Sequence, residues 1–214
     1  MKKITLYIIT LLMVSCASIQ RGEHWKNPEV TEFNPKNVLV VGVTPDFDAR
    51  SNFEFVLVQE LNKRNINAIQ STVVFEKLFQ DATKTEADIE AKINTLLTEG
   101  FETVLVSAVK GVQENESRSG ASPRFDYSLQ RFLGGYLASR DDYFSQEDYK
   151  KYQVFYVETT IYRLQKDEEK SLVWLDSYNI INPENIAAMT DDYVKKIIKS
   201  MEKEKLIPKK KALQ

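Results

Sequence analysis

Residues 37–43 read NVLVVGV, a continuous apolar run rich in β-branched side chains. A run of this kind, with no polar alternation, is typical of a strand that is covered on both faces. Residues 103–112, TVLVSAVKGV, repeat the pattern. We therefore predict that residues 38–43 and 104–109 form neighbouring, buried strands in the middle of one sheet.

The segment between these two strands shows helix and strand patterns in turn. Ser51 and Glu54 have the spacing of a capping box, and the helix that follows is expected to end at Asn65, which tolerates a left-handed conformation. Residues 68–75 are predicted to form a strand, and a second helix is predicted from Thr85 to a stop at Gly100. The predicted order is therefore β-α-β-α-β.

The C-terminal half of the chain is predicted to complete the same sheet. Residues 153–164 and 171–181 have strand patterns and are expected to form a hairpin, and Asn182 is expected to cap a last helix. The patterns predict an α/β (α+β) fold, a single mixed sheet of four to five strands with helices packed on it. This fold occupies one domain at 37–207, which includes an excursion at 111–152. Residues 208–214 are interpreted as a solvated basic tail, with contact to anionic lipid as the alternative.

The N-terminus, MKKITLYIITLLMVSCAS, has two lysines, an apolar run and then small residues around Cys16, the order of a secretory signal. The apolar run is shorter than the roughly 20 residues that span a bilayer. The sequence LMVSC resembles the lipobox of bacterial lipoproteins. The resemblance implies that a signal peptide at 1–15 is removed and that Cys16 is acylated. The alternative is an ordinary signal peptide with an unmodified cysteine.

Residues 16–36 contain two prolines and no apolar period, so we predict a lipidated tether between the membrane and the domain. The residues after Cys16 lack the acidic cluster that sends some lipoproteins to the cell surface. We therefore expect the protein to be lipid-anchored in the outer membrane and to face the periplasm. His24, the single histidine, is expected to be an exposed residue of this tether.

The composition argues against several classes of function. Lys and Arg number 29 and Asp and Glu number 31, a formal charge of -2, so nucleic acid is not an expected partner. One Cys and one His cannot supply the roughly four ligands of a closed zinc site. The chain also contains no G-x-S-x-G sequence and no Walker or dinucleotide fingerprint. We therefore predict no metal, no cofactor and no catalytic residue.

The best candidate for a ligand pocket follows the first buried strand, where open α/β sheets commonly bind ligands. Asp46, Asp48 and Arg50 lie in this segment. Two close carboxylates can in principle perform acid and base catalysis, but the segment has no histidine to work with them. In the alternative interpretation the aspartates serve a turn and Arg50 pairs with a carboxylate.

The excursion is the best candidate for a partner-binding surface. Aromatic and arginine side chains dominate the binding energy of many protein interfaces. The excursion is rich in both, and the aromatic residues predicted to contact a partner are Phe125, Tyr127, Phe132, Tyr136, Tyr143 and Phe144. The alternative is that these rings fold the excursion back onto the domain and are buried there.

Several of these segments together resemble a group of bacterial envelope lipoproteins. They are VLVVGVTPD with Arg50 and Glu54 after it, the strand pair YVETTIYRL and SLVWLDSYNIINP, and the closing KLI. The group includes the curli-secretion lipoprotein, the lipoprotein activators of penicillin-binding proteins and the N-terminal domain of the Tol-system propeller protein. The resemblance implies an α/β domain with an adaptor or assembly role and a protein partner in the envelope. A small-ligand-binding module and an enzyme of unknown reaction are the alternatives.

Overall fold

A mixed β-sheet is the framework of the protein in the computed structural model, which describes residues 19–44, 47–74, 94–111, 154–164, 172–181 and 186–210. Its six strands in the described ranges are β1 (Ile19–Lys26), β2 (Asn37–Val43), β3 (Asn67–Gln70), β4 (Thr103–Gly111), β5 (Val154–Arg163) and β6 (Leu172–Ile181). The helices are α1 (Phe47–Asn62), α2 (Ser71–Val74) and α3 (Ile186–Lys203). Residues 94–98 are also helical.

The strands lie in the order β1-β6-β5-β4-β2-β3. β2 runs parallel to both β3 and β4, whereas β5, β6 and β1 continue the sheet with antiparallel pairs. This is the single mixed sheet that the sequence predicts, with one strand more than the four to five expected. The prediction that residues 38–43 and 104–109 are neighbours is confirmed, since Leu39 pairs with Val104 and Val41 with Val106.

Both faces of the central strands are buried. Val40 and Leu105 pack on one face against α1 and α3, and Leu39 and Val104 pack on the other, together with Leu96 of the short helical segment. Successive side chains of a strand point to opposite faces, so a strand covered on both sides needs apolar residues at every position. This is the physical reason for the unbroken apolar runs.

The extra strand, β1, lies within the segment predicted to be a tether. It pairs antiparallel with β6, so that Ile19 lies opposite Ile180 and Trp25 opposite Leu175. The prediction that the domain begins near Asn37 is therefore wrong, because the sheet already includes Ile19. β1 is the last strand at one edge of the described sheet and most of its residues are exposed, so its sequence is polar and lacks the signal of a buried strand.

Two local predictions near the first helix are also wrong. α1 begins at Phe47, so Ser51 lies inside the helix and is not its cap. Glu54 is fully buried and accepts hydrogen bonds from the Ser71 hydroxyl (2.7 Å) and the Thr72 N–H (3.3 Å). These contacts stabilise a helical turn at residues 71–74, where the sequence predicts that the strand continues to residue 75.

The helix ends follow the sequence closely. Asn65 has the positive φ angle that was predicted, and Gly100, the predicted helix stop, and Lys205 after α3 also have positive φ angles. At each end the next residue donates its N–H five residues back, which is the Schellman arrangement that satisfies free carbonyl groups. The predicted helix starts at Thr85 and Asn182, and the excursion, lie outside the described residues.

Candidate functional site

A small cavity lies where β2 ends, at the carboxyl end of the parallel strands. Its volume is about 90 Å³, and most of its wall is apolar. The residues that line it come from four strands and two helices. They include Val43, Arg50, Phe53, Val157, Met189 and Tyr193. The cavity is smaller than the roughly 300 to 1,000 Å³ of sites for drug-sized ligands, so it fits a group of only a few heavy atoms.

One of the three predicted pocket residues lines this cavity. Arg50 projects from the first turns of α1 into the cavity wall. Asp48 lies on the same turn but is exposed and does not line the cavity, and Asp46 lies outside the described residues. Of the two predicted pocket residues that the structure describes, Arg50 therefore lines the cavity and Asp48 does not.

Arg50 is held between an exposed ring and the end of β2. Its guanidinium carbon lies 5.2 Å from the centroid of the Phe47 ring, within the range of a cation–π contact. Its side chain passes over Gly42, where an added Cβ would lie 2.9 Å from the Arg50 Cγ. Glycine at this position allows the arginine to cross the strand and reach the cavity wall.

A triangle of buried hydroxyl groups lies beside the cavity. The Thr159 Oγ1 is 2.6 Å from the Tyr193 hydroxyl and 3.0 Å from the Ser107 Oγ, which in turn is 3.2 Å from Tyr193. Burial raises the pKa of Tyr193 well above its ordinary value, although the two neighbouring hydroxyls act in the opposite direction. Tyr193 is therefore a neutral phenol at physiological pH, and the triangle is uncharged.

The buried carboxylate of Glu54, which contacts the end of β2, has a structural role. It accepts a hydrogen bond from the backbone N–H of Gly42 at 2.9 Å in addition to those from Ser71 and Thr72. These contacts join the end of β2 to α1 and α2. Glu54 does not line the cavity.

A second polar cluster, which we call the Asp176 clamp, holds β1 to the domain. It consists of Asp176, Arg21, Tyr178 and Ser200. The fully buried Asp176 carboxylate accepts two hydrogen bonds from Arg21, at 2.8 and 2.9 Å. It also accepts hydrogen bonds from the hydroxyls of Tyr178 (2.9 Å) and Ser200 (2.6 Å). The hydrogen bonds to Asp176 raise the pKa of Arg21, and burial, followed by the charge of Asp176, raises the pKa of Tyr178.

His24 is exposed, as predicted, but it belongs to β1 and lies beside this clamp, so its placement in a tether is wrong. Its Nδ1 is 2.8 Å from an Arg21 nitrogen, and its Nε2 is 3.3 Å from a Glu204 carboxylate oxygen. Its ring also packs edge-on against Trp174. The sequence carries one signal for the clamp, an aspartate within the apolar strand LVWLDSYNII, because a buried charge needs a partner.

The other predicted functional residues lie outside the described ranges. They are Cys16, Phe125, Tyr127, Phe132, Tyr136, Tyr143 and Phe144. Their roles therefore stay predictions. Within the described ranges, no helix has the length and apolar character needed to cross a membrane, and no three His, Cys, Asp or Glu side chains are placed to hold a metal ion.

Neither a protein-family model nor a curated protein sequence matches the chain. Among solved structures, the chain is similar to the Neisseria meningitidis lipoprotein GNA1162, with 14% identity, a TM-score of 0.39, and coverage of 78% of this chain and 96% of the other. It is also similar to the PelC dodecamer from Paraburkholderia phytofirmans, with 9% identity and a TM-score of 0.42 over 86% of this chain and 95% of that one. A PelC variant gives 9% identity and a TM-score of 0.41 over 86% and 96%. No residue role is transferred from these structures.

Proposed function

We propose that this chain is a membrane-anchored lipoprotein of the bacterial envelope and a non-enzymatic adaptor or assembly protein. In this proposal Cys16 carries the lipid, and the domain faces the periplasm from the outer membrane. The observation that carries the proposal is the position of β1, which enters the sheet at Ile19, three residues after Cys16. An acyl group on Cys16 would hold the folded domain directly at the membrane. The short connection between Cys16 and β1 would limit how far the domain can move from the bilayer.

The roles of the buried polar groups support binding rather than catalysis. Glu54 joins β2 to two helices, and Asp176 joins β1 to β6 and α3. The hydroxyls of Ser107, Thr159 and Tyr193 bond to one another. Each of these groups is engaged in contacts that stabilise the fold, and such groups contribute rigidity to a surface that a partner can recognise.

The place where the excursion leaves the sheet supports a protein partner. Gly111 at the end of β4 lies opposite Phe155 near the start of β5, and Phe155 lines the cavity. The described residues that flank the excursion are therefore paired strand neighbours at the cavity end of the sheet. In our proposal its aromatic side chains contact an envelope protein, and the residues assigned to this contact are Phe125, Tyr127, Phe132, Tyr136, Tyr143 and Phe144.

The anchor is tested by measuring the mass of the mature N-terminus in membranes from cells that express the full chain. We expect a diacylglyceryl thioether on Cys16 and an acylated amino group. A Cys16→Ala variant should leave the membrane fraction, whereas Phe55→Ala, a change on the surface of α1, should not affect fractionation. An unmodified Cys16, or membrane binding that survives Cys16→Ala, would contradict the proposal.

The partner role is tested with the double variant Phe132→Ala/Tyr136→Ala, using crosslinking in intact cells and a melting curve of the purified protein. We expect capture of the partner to fall while the melting curve is unchanged, because exposed anchor residues contribute little to the isolated fold. Phe55→Ala removes an exposed ring elsewhere and should leave capture unchanged. Loss of folding in the double variant would support burial of the rings in the domain instead.

A small-ligand-binding module is the second candidate, and the cavity at the end of β2 favours it. An apolar wall with the cation of Arg50 suits a short apolar anion. Butyrate, titrated into the wild-type protein and into Arg50→Gln, tests this candidate by thermal shift. Stabilisation of the wild-type protein alone would support it, and no shift in either protein would contradict it.

A further inference from the structure

We propose that the carboxyl end of the parallel strands is the face on which the domain rests on the lipid bilayer. This surface, called the membrane face below, is defined by Ile19, Phe47 and Val73, which lie at the same end of the sheet as the cavity. The inference rests on the proposed acylation of Cys16 and adds to it an orientation of the domain and a contact with lipid.

The short connection from Cys16 places this end of the domain closest to the proposed lipid anchor. Three residue steps separate Cys16 from Ile19, a reach of about 10 Å. Ile19 pairs with Ile180, which lines the cavity, so β1 begins at the cavity end of the sheet. Lys26, at the other end of β1, lies about 24 Å further along the strand. The lipid anchor therefore holds the cavity end closest to the bilayer.

Exposed apolar side chains occupy the same end. In the described part of the chain, the large hydrophobic residues with exposed side chains are Phe47 (61% exposed), Phe55 (53%) and Val73 (72%). Phe47 and Val73 belong to the helices that follow β2 and β3, beyond the carboxyl ends of these two parallel strands. Single exposed hydrophobic residues are common on protein surfaces, but these two coincide with the end that the anchor selects. A bilayer interface buries such side chains.

The segments that carry the two residues are in contact. The Gln70 side chain, just before α2, donates a hydrogen bond to the Ser51 carbonyl in the first turns of α1, with a distance of 3.4 Å. The Thr72 N–H reaches Glu54 on the same helix. Phe47 and Val73 therefore belong to adjoining segments, and Phe47 also contacts Arg50 of the cavity wall.

The other surfaces near the anchor suit water better than lipid. The exposed part of β1 includes Gln20, Arg21 and Glu23, so a domain lying on this edge would press charged side chains against the bilayer. The described start of the basic tail, residues 208–210, lies at the opposite end of the sheet, because Lys26 Nζ donates a hydrogen bond to the carbonyl of Glu204 just after α3 and Lys209 lies beside Asn34, ahead of β2.

The sequence provides a clean way to test the orientation. Cys16 is the only cysteine and is blocked when acylated, so an introduced cysteine is the only free thiol. Phe47→Cys and Val73→Cys place a polarity-sensitive fluorophore on the membrane face. Phe55→Cys, about 12 Å further along α1, and Lys209→Cys at the opposite end are the matched controls. Each acylated full-length variant is reconstituted into vesicles of phosphatidylethanolamine and phosphatidylglycerol.

We expect the labels at 47 and 73 to be protected several-fold from aqueous iodide and quenched by a lipid-attached quencher. The label at 209 should show the reverse, and the label at 55 should fall between. Because Phe47 also contacts Arg50, the Val73 label provides a second reading that does not disturb that contact. Melting temperatures equal to that of the wild-type protein establish that each variant is folded.

The mass of the N-terminus separates the two proposals. One outcome is that, in acylated protein bound to vesicles, iodide quenches the labels at 47 and 73 as strongly as the label at 209. That result would overturn the membrane face alone. An unmodified Cys16 would overturn the anchor and this inference with it. Protection at 47 and 73 in native envelopes but not in pure lipid vesicles would assign the surface to a protein partner and overturn the lipid contact.

Discussion

Replacing Arg21 with Met should destabilise the domain by about 3 kcal/mol, because it leaves the buried Asp176 carboxylate without its cation. The substitution removes hydrogen bonds of 2.8 and 2.9 Å to a side chain that is fully buried. Removal of one partner from a buried ion pair typically costs about 3 to 5 kcal/mol. The Arg21 side chain is 38% exposed, so water can enter the vacated space and the lower end of that range applies.

The effect is measured by urea unfolding in a Cys16→Ser background that carries no lipid. Lys195→Met is the matched control, because its ion pair with Asp192 has side chains that are 67% and 65% exposed. It should cost less than about 1 kcal/mol. A cycle with Asp176→Asn isolates the coupling between the two clamp residues, which we expect to be about 2 kcal/mol.

The slope of the unfolding free energy against urea should be the same for all variants, so that the midpoint reports stability. If Arg21→Met costs no more than Lys195→Met, the ion pair is as weak as a surface pair and β1 is held by its backbone pairing alone. That result would refute the conclusion that the clamp holds β1 to the domain.

Three further predictions concern other parts of the fold. Glu54→Ala should cost about 3 kcal/mol in urea unfolding, because three donors lose a buried acceptor; a loss below about 1 kcal/mol would fit a mere helix cap. Val40→Asp should abolish cooperative unfolding, since it places an unpaired charge in the fully buried centre of β2; a folded variant of near wild-type stability would contradict that placement. The hydrogen bond from Lys63 lowers the pKa of Glu60 from its ordinary 4.5, and the hydrogen bond from Arg64 acts in the same direction. The contribution of Glu60 to stability is therefore present above that pH and is lost as the pH falls through the lowered pKa. Glu60→Gln should therefore flatten the acid loss of stability between about pH 5 and pH 3 by less than about 1 kcal/mol, and an unchanged acid profile would contradict this.

The centre of the fold could be predicted because its physical signals are local. A strand covered on both faces must be apolar at each position, as residues 37–43 are, and that pattern is visible in one segment of sequence. The helix ends at Asn65 and Gly100 were predictable for a similar reason, since few residue types adopt positive φ without strain. The order of β2, α1, β3, β4, β5, β6 and α3 followed from these signals, whereas β1 and α2 were missed.

The edge strand and the buried carboxylates could not be predicted in the same way, because their partners are remote in sequence. Asp176 bonds to Arg21, 155 residues away, and no local pattern joins the two. Glu54 has a plausible local partner in Ser51, and their spacing suggests a capping box. The structure shows that Ser71, 17 residues further on, is the donor. The cavity likewise needs residues from several elements, and of these the sequence pattern indicates only Arg50.

The Asp176 clamp also determines how far the proposed anchor can let the domain move. β1 exposes most of its residues, so its attachment depends on pairing with β6 and on the Arg21–Asp176 contact more than on apolar burial. With β1 in place, the path from Cys16 to the sheet is about 10 Å. With β1 detached, the free chain from Cys16 to Asn27 would span up to about 40 Å, which is the length of a true tether. When the clamp is closed, the proposed anchor holds the domain against the bilayer, and when β1 is released, the domain can move away from it. The polar sequence of β1 is compatible with the paired and the released form.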